Sequence, residues 1–212
     1  MILWIVTAQI LINLYKGFRI EFFKPKCILE LKKYDSLAEI QALIGQKRLS
    51  LPELLQYYFE QIETHQHLNA FNEVFFYSAA EQARLVQEKL ENGTAGKLAG
   101  MVIGIKDNIC YKGHEVTASS KMLEGFVSPY SATVIERLIK EDAVIIGRLN
   151  CDEFAMGGSN ETSYYGAVKN AADHEKVAGG SSGGSAVAVQ ADMCLSALGT
   201  DTGGSVGQAA AF

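Results

Sequence analysis

A lysine at the end of an apolar run is the first residue of this chain that could do chemistry. Lys106 closes the run 101–106 (MVIGIK), which is typical of a buried strand. Burial disfavours the ammonium form, so a lysine at this point could hold a neutral amine and act as a base. Position alone favours the alternative, a lysine whose alkyl chain carries the ammonium out to solvent.

Glycines surround a pair of serines in the segment Gly179–Ser185 (GGSSGGS). Glycine permits the tight backbone geometry that exposes hydroxyl and N–H groups. A flexible linker is the alternative, but linkers rarely lie between apolar elements. The run 186–189 (AVAV) that follows suits the start of a buried helix. No Gly-Lys-Ser/Thr follows the glycines, which excludes a Walker phosphate-binding loop.

The segment Gly199–Ser205 (GTDTGGS) brings a further serine on a glycine turn, directly after the apolar run 193–198. Such a turn suits a nucleophile, because the preceding backbone N–H groups are placed to receive an oxyanion. Residues 203–207 and 179–183 both match G-x-S-x-G, the elbow pattern of α/β hydrolases. That fold needs an acidic residue and then a histidine downstream, and no histidine follows Ser205.

Alternating helical and apolar patterns predict the scaffold that positions these segments. Ser36–Glu39 and Ser50–Glu53 match the capping box that opens helices. Apolar periodicity predicts helices over 51–65, 78–91 and 131–141, and strands over 101–106 and 143–149. We expect the runs 101–105, 143–146 and 193–198 to be central strands, buried on both faces. The sequence therefore predicts an α/β protein with helices over a mostly buried sheet.

Composition excludes several classes of protein. The formal net charge is −5, whereas a module that binds nucleic acid directly usually carries a basic excess. Hydrophobic residues make up 48% of the chain and charged residues 20%, which excludes wholesale disorder. A chain of this size needs no disulfides, so we interpret the cysteines as reduced thiols: Cys27, Cys110, Cys151 and Cys194. His65 and His67 could supply two metal ligands, but we favour a polar helix end and predict no metal site.

The beginning of the chain differs from the rest. Residues 1–14 carry no charged side chain, but they are too short for a membrane span of about 20 residues. They also lack the basic start and the cleavage site of a signal peptide. Basic residues follow them, which would suit an N-terminal anchor. We instead predict an atypical extension over 1–33, a domain over 34–212 and no membrane association.

We call the segments 101–106, 179–185 and 199–205 the three chemical segments. Taken together, they resemble the amidase signature family. Ser181 follows Lys106 by 75 residues and precedes Ser205 by 24. The resemblance covers roughly residues 100–206. Within the family, residues 98–108, 150–157 and 179–185 are similar to the A subunits of bacterial tRNA-dependent amidotransferases. The resemblance implies a mixed central sheet covered by helices on both faces.

The resemblance also implies a Ser–Ser–Lys mechanism. Ser205 would attack an amide carbonyl, and a neutral Lys106 would be the base, acting through Ser181 on a cis peptide. The oxyanion hole would be the backbone N–H groups of Thr202, Gly203 and Gly204. The residues implied to contact substrate are Met156, Gly157, Ser182 and Asp201. Asp201 and Asp107 would also organise the site, although a plain structural role for Asp107 is equally open.

The function implied is the hydrolysis of glutamine to ammonia, which partner B and C subunits would use to convert Glu-tRNA(Gln) to Gln-tRNA(Gln). The resemblance implies no cofactor at the amidase site, with ATP and Mg²⁺ used by the kinase-like partner. It implies tRNA binding mainly through that partner, no DNA binding, and a cytoplasmic location. A stand-alone amidase of the same family, or an inactive fragment, are the alternatives.

The chain departs from the family pattern in three places and at its end. The family continues G-G-S-I-R-x-P-A, where this chain has Gly207 and Ala209, and Ala178 precedes the glycine segment where proline is common. The family also extends well beyond residue 212. We therefore expect a fold truncated after the nucleophile, with the three catalytic residues but an incomplete pocket. Such a chain would be poorly soluble and inactive when isolated.

Overall fold

The computed structural model describes residues 33–212, which form one unit. The predictions made for residues 1–32, Cys27 included, lie outside the described residues. The helices are α1 (Leu37–Gly45), α2 (Leu51–Thr64), α3 (Phe76–Glu91), α4 (Thr133–Lys140) and α5 (Gly183–Gln190). The strands are β1 (Phe71–Val74), β2 (Val102–Lys106), β3 (Val144–Leu149) and β4 (Ser196–Leu198). Across these residues no helix is long and apolar enough to span a membrane.

The strands form one mixed sheet in the order β1-β3-β2-β4. β2 runs parallel to both β3 and β4, and β1 pairs antiparallel with β3. Every residue of β2 and β3 is buried, as expected for parallel strands covered on both sides. The register pairs Val102 with Val144 and Lys106 with Leu149, so Lys106 lies at the carboxyl edge of the sheet.

Alternating side chains of the central strands feed two separate apolar clusters. Val102, Val144 and Ile146 belong to the larger cluster, which includes the apolar faces of α1, α2 and α3 and part of α5. Ile103, Ile105 and Ile145 belong to the second cluster, with Ile135 of α4. Helices therefore cover both faces of the sheet, which confirms the predicted fold class.

The helix starts follow the sequence signals to different degrees. Ser50 and Glu53 form the full capping box: Ser50 Oγ accepts from Glu53 N (3.4 Å) and Glu53 Oε2 accepts from Ser50 N (2.8 Å). Ser36 Oγ accepts from Glu39 N (3.2 Å), but Glu39 Oε2 accepts instead from Asp35 N (3.2 Å). The first box is thus only half formed, and it still caps α1.

The prediction for residues 193–198 was wrong in part. Only Ser196–Leu198 is a strand, and it lies at the edge of the sheet with all three residues half-buried. The preceding Met193 and Cys194 are buried in the larger cluster after the left-handed turn at Asp192 (φ 58°). The apolar character of the segment therefore reflects the burial of these two residues in a connection, and not a central strand. The antiparallel strand β1 was not predicted.

Candidate active site

Lys106 is fully buried at the end of β2, with 0% of the side chain exposed. Its Nζ lies 2.7 Å from Ser181 Oγ, 2.8 Å from Ser182 Oγ and 3.4 Å from the carbonyl oxygen of Thr200. The alternative of a lysine reaching solvent is therefore wrong. Burial lowers the pKa of Lys106, against the opposing influence of Cys151, Asp152 and Asp201. Lys106 thus loses its proton more easily than a lysine in water.

Asp107 fixes the strand end behind this lysine. Its buried carboxylate accepts hydrogen bonds from Thr117 N (2.8 Å) and Ser119 N (3.0 Å). It also pairs with Arg148, whose Nη1 lies 3.0 Å from both carboxylate oxygens, and it accepts from Asn72 Nδ2 (2.8 Å). None of these partners is a serine of the three chemical segments. Asp107 therefore ties the end of β2 to the segment 117–119 and to side chains of β1 and β3.

The Ser181 loop is fitted closely to the ends of two strands. The Gly180–Ser181 peptide is cis, the geometry that the resemblance implies. The carbonyl of Ser181 accepts from Asp152 N (3.2 Å), just beyond β3. A Cβ at Gly184 would lie 2.3 Å from the carbonyl oxygen of Asn150, so only glycine fits there. The serine pair therefore has a defined position above the sheet.

Ser205 lies beside this loop, half-buried, in a turn organised by Asp201. Its carbonyl accepts from Ser182 N (3.1 Å), whereas its hydroxyl makes no hydrogen bond with any residue in 33–212. The Asp201 carboxylate accepts from the N–H groups of Val206 (2.8 Å), Gly207 (3.1 Å) and Gly204 (2.5 Å). These bonds, led by the one from Val206, hold the pKa of Asp201 below its usual value.

The backbone donors expected for an oxyanion hole divide into two groups. The N–H of Gly204 is taken by Asp201 Oδ1. Thr202 and Gly203 are exposed, and their N–H groups make no hydrogen bond with the described part of the chain. Two of the three donors are thus open to a ligand, and the third would have to leave Asp201.

The residues expected to contact substrate lie in different surroundings. Ser182 Oγ is occupied by Lys106 and by Thr200 O (3.2 Å). Met156 is 79% exposed, and Gly157 is exposed and packs against Asp152. The structure therefore brings Ser182 to the lysine and leaves Met156 facing solvent.

Sequence reasoning missed two side chains of this region. Asn108 Nδ2 donates to Thr200 Oγ1 (2.9 Å) and so joins the end of β2 to the nucleophile segment. Asp152 accepts three hydrogen bonds from Asn160 and Thr162. Both belong to stretches that carry the resemblance, but their partners are distant in sequence. No local pattern identified them.

Comparison with known proteins supplies the family. The model of the family described as Amidase matches residues 53–212, about three quarters of the chain. This chain belongs to the amidase family.

Curated relatives in the amidase family include A subunits of glutamyl-tRNA(Gln) amidotransferase. The one from Brachyspira hyodysenteriae is 46% identical over 181 residues, which is 84% of this chain and 38% of that protein. The one from Chlorobium chlorochromatii is 50% identical over 185 residues, 87% of this chain and 38% of that protein. The chain thus spans 38% of the length of these relatives.

Solved structures of the amidase family share the same fold. The glutamyl-tRNA(Gln) amidotransferase A subunit of Thermotoga maritima is 36% identical, with a TM-score of 0.69, over 88% of this chain and 38% of that one. The peptide amidase of Stenotrophomonas maltophilia is 32% identical, with a TM-score of 0.77, over 82% of this chain and 37% of that one. The α/β core described above therefore shares its fold with part of these amidase-family structures.

A cavity of about 360 Å³ adjoins the amidase-family serines. Its lining includes Ser182, Val189, Val206 and Phe212. A larger cavity of about 870 Å³ lies between α1, α2 and α3, and no residue of the three chemical segments lines it. The smaller cavity thus borders the chemical segments at Ser182 and Gly199, and Ser205 itself is not part of its lining.

The rings of three histidines lie near one another. The rings of His67 and His174 lie 5.2 Å apart, and those of His65 and His67 lie 6.3 Å apart. Within residues 33–212, no three His, Cys, Asp or Glu side chains are arranged to hold a metal ion. His65 and His67 follow the end of α2, the position that the sequence indicated.

Proposed function

We propose that this chain carries the glutamine-hydrolysing site of the A subunit of a tRNA-dependent amidotransferase. The observation that carries the proposal is the buried Lys106 amine 2.7 Å from Ser181 Oγ, beside the turn that holds Ser205. An alcohol needs a base to attack an amide at neutral pH, and a buried neutral lysine can be that base. The identity of up to 50% with curated A subunits supports the same substrate.

In the proposed reaction, Ser205 Oγ bonds to the amide carbon of glutamine as its proton passes through Ser181 to Lys106. The C–N bond then breaks, and the proton returns from Lys106 to the departing nitrogen, which leaves as ammonia. Water, activated by the same relay, hydrolyses the glutamyl ester. The negative oxygen of each tetrahedral intermediate is held by the N–H groups of Thr202 and Gly203, joined by that of Gly204 once it leaves Asp201. Catalytic hydrogen bonds often shorten only when substrate binds, and we expect this for Ser205 and Ser181.

The proposal extends to the partners. The ammonia would serve B and C subunits that amidate glutamyl-tRNA, with ATP and Mg²⁺ bound by the kinase-like partner. Contacts to tRNA would be made mainly by that partner, which agrees with the net charge of −5 on this chain. The assembly would work in the cytoplasm.

A stand-alone amidase acting on another small amide is the second candidate. The likeness to a peptide amidase, with a TM-score of 0.77, favours it. The lower identity of 32%, against as much as 50% for the amidotransferase relatives, favours the first candidate. Ammonia release from glutamine, compared with release from peptide amides, separates the two.

The test uses a fluorophosphonate, which bonds to an activated serine oxygen with loss of fluoride. The chain is treated together with B and C subunits, and the modified peptide is identified by mass spectrometry. We expect modification at Ser205, loss of it in Ser205→Ala, and normal modification in the matched control Ser131→Ala. Modification of a different serine would contradict the assignment. Glutamine turnover measured on the same samples decides the substrate.

A further inference from the structure

Asp152 is a fully buried carboxylate just beyond the end of β3, with 0% of the side chain exposed. Its Oδ2 accepts from Asn160 N (2.9 Å), and its Oδ1 accepts from Thr162 Oγ1 (2.8 Å) and Thr162 N (3.3 Å). No lysine, arginine or histidine of residues 33–212 forms an ion pair with it. Burial of a carboxylate among neutral donors alone is costly, and such a group rarely persists as simple packing.

On one side, this carboxylate packs against the loop that carries Ser181, the serine proposed to relay the proton. A Cβ at Gly180 would lie 2.2 Å from Asp152 Oδ2. The backbone N–H of Asp152 donates to the carbonyl of Ser181 (3.2 Å). The position of the Gly180–Ser181 peptide is therefore set directly against Asp152.

On the other side, Asp152 holds the segment 157–162. A Cβ at Gly157 would lie 2.3 Å from Asp152 Cγ, and the bonds to Asn160 and Thr162 fix the following residues. Gly157, which the resemblance places at the substrate together with Met156, begins this segment. One side chain thus joins the substrate-facing segment to the relay loop.

Asp152 also acts electrostatically on Lys106. The ionisable groups facing the amine are Cys151 and Asp152, beyond β3, and Asp201, in the nucleophile segment. Each raises the pKa of Lys106, while burial lowers it. Without the charge of Asp152, less counteracts the effect of burial, so the pKa of Lys106 falls further.

We propose that Asp152 is a positioning residue that couples the substrate-facing segment 157–162 to Ser181 and faces the lysine base with its charge. The kinetic test of this inference, turnover of glutamine, rests on the proposed function. The NMR test, titration of Lys106, does not.

The test is Asp152→Asn in the full chain, with glutamine kinetics and ¹³C NMR of lysine side chains. The amide keeps the size of the carboxylate but replaces one acceptor oxygen with an NH2 donor, which would then face a backbone N–H group. We expect kcat/KM for glutamine to fall at least about tenfold, since small displacements near reacting groups are costly. The Lys106 resonance, assigned by its absence in Lys106→Arg, should titrate at lower pH than in the parent chain.

Two controls separate charge from geometry. Thr162→Val keeps the charge of Asp152 and removes both hydrogen bonds of the Thr162 hydroxyl, the one donated to Asp152 Oδ1 and the one accepted from Glu153 N (3.1 Å). KM should therefore rise, kcat should change little and the Lys106 titration should stay in place. Asp142→Asn removes another buried carboxylate, which pairs with Lys89 (2.6 Å) before the opposite end of β3. It should lower stability and leave both the kinetics and the Lys106 titration unchanged.

A folded Asp152→Asn variant with unchanged kinetics and an unchanged Lys106 titration would overturn the proposal. If that variant does not fold, an unchanged KM in Thr162→Val has the same force. If the parent chain shows no glutamine turnover even when assembled with B and C subunits, the proposed function fails. The position of the Lys106 titration in Asp152→Asn still decides whether Asp152 acts on the lysine.

Discussion

The two halves of the proposed catalytic machinery differ in how they are held. Lys106 and Ser181 are fully buried between the ends of β2 and β3 and the start of α5. Thr202 and Gly203 are exposed, and Ser205 is only half-buried in a turn fixed by Asp201. Lys106 and Ser181, which we call the lysine half, are thus part of the core. Residues 202–205, the nucleophile half, lie against that core, and the Ser182–Ser205 hydrogen bond is one of the contacts between the halves.

This difference separates stability from reactivity. Changes in the lysine half disturb close-packed surroundings, so they should affect both folding and chemistry. Changes in the nucleophile half meet open space, so they should affect chemistry alone. Glycines report the contrast directly: a Cβ at Gly184 meets backbone at 2.3 Å, while one at Gly203 or Gly207 meets nothing within 4 Å.

The largest effect is expected from Ser205→Ala. Loss of a serine nucleophile typically removes turnover by about 10⁴-fold or more. Stability should change by less than about 0.5 kcal/mol, because the hydroxyl has no hydrogen-bond partner among residues 33–212. Ammonia release from glutamine and urea unfolding measure the two quantities. Retention of turnover within about tenfold would mean that another residue is the nucleophile.

Replacement of the base should damage both properties. Lys106→Arg should lower turnover by about 10²- to 10⁴-fold, because a guanidinium stays protonated and cannot accept the proton. It should also destabilise the fold by about 1–3 kcal/mol, since a larger cation must fit a fully buried site. Lys106→Met is the comparison of similar length without charge. An active arginine variant would make Lys106 an electrostatic helper.

The sequence predicted the parts of this picture that depend on local pattern. The strand around Lys106, the glycine loop of Ser181 and the turn of Ser205 were each recognisable from residue types and spacing. Strand β1 was not, because its four half-buried residues lack a clear alternation and its partner β3 is distant in sequence. The second contact of Lys106, with Ser182, depends on the same kind of long-range packing.

The apolar run 193–198 illustrates the limit from the other direction. Its residues are as apolar as those of β2. Met193 and Cys194, however, are buried in the connection that follows the end of α5, and not in a strand. Apolar character reports burial, and it does not distinguish a central strand from a buried connection. The place of β4 at the edge of the sheet therefore required the structure.

A pair of glycine substitutions sharpens the comparison at the level of packing. Gly184→Ala should destabilise the protein by about 1–3 kcal/mol, because its Cβ would meet the carbonyl oxygens of Asn150 and Ala70. Gly207→Ala should change stability by less than about 0.5 kcal/mol, since its Cβ meets no atom within 4 Å. Thermal or urea unfolding of both variants checks this. Equal losses would mean that the turn around Ser205 is packed as tightly as the segment around Ser181 and Gly184.

The smallest expected effect is a pH dependence that belongs to the lysine half alone. Because burial lowers the pKa of Lys106 in the folded chain, the unfolded chain binds more protons between that lowered pKa and the ordinary value of 10.5. The contribution of this group to stability is therefore complete above 10.5 and is lost as the pH falls from there to the folded pKa. Relative to Lys106→Met, the parent chain should gain stability with rising pH in this window, by at most about 1.4 kcal/mol per pH unit. The stability of Ser205→Ala should depend on pH in the same way as that of the parent chain, because the missing Ser205 hydroxyl does not titrate in this window. Urea unfolding across neutral to alkaline pH measures the difference, and a flat difference between the parent chain and Lys106→Met would mean that Lys106 keeps its ordinary proton affinity and is not a neutral base.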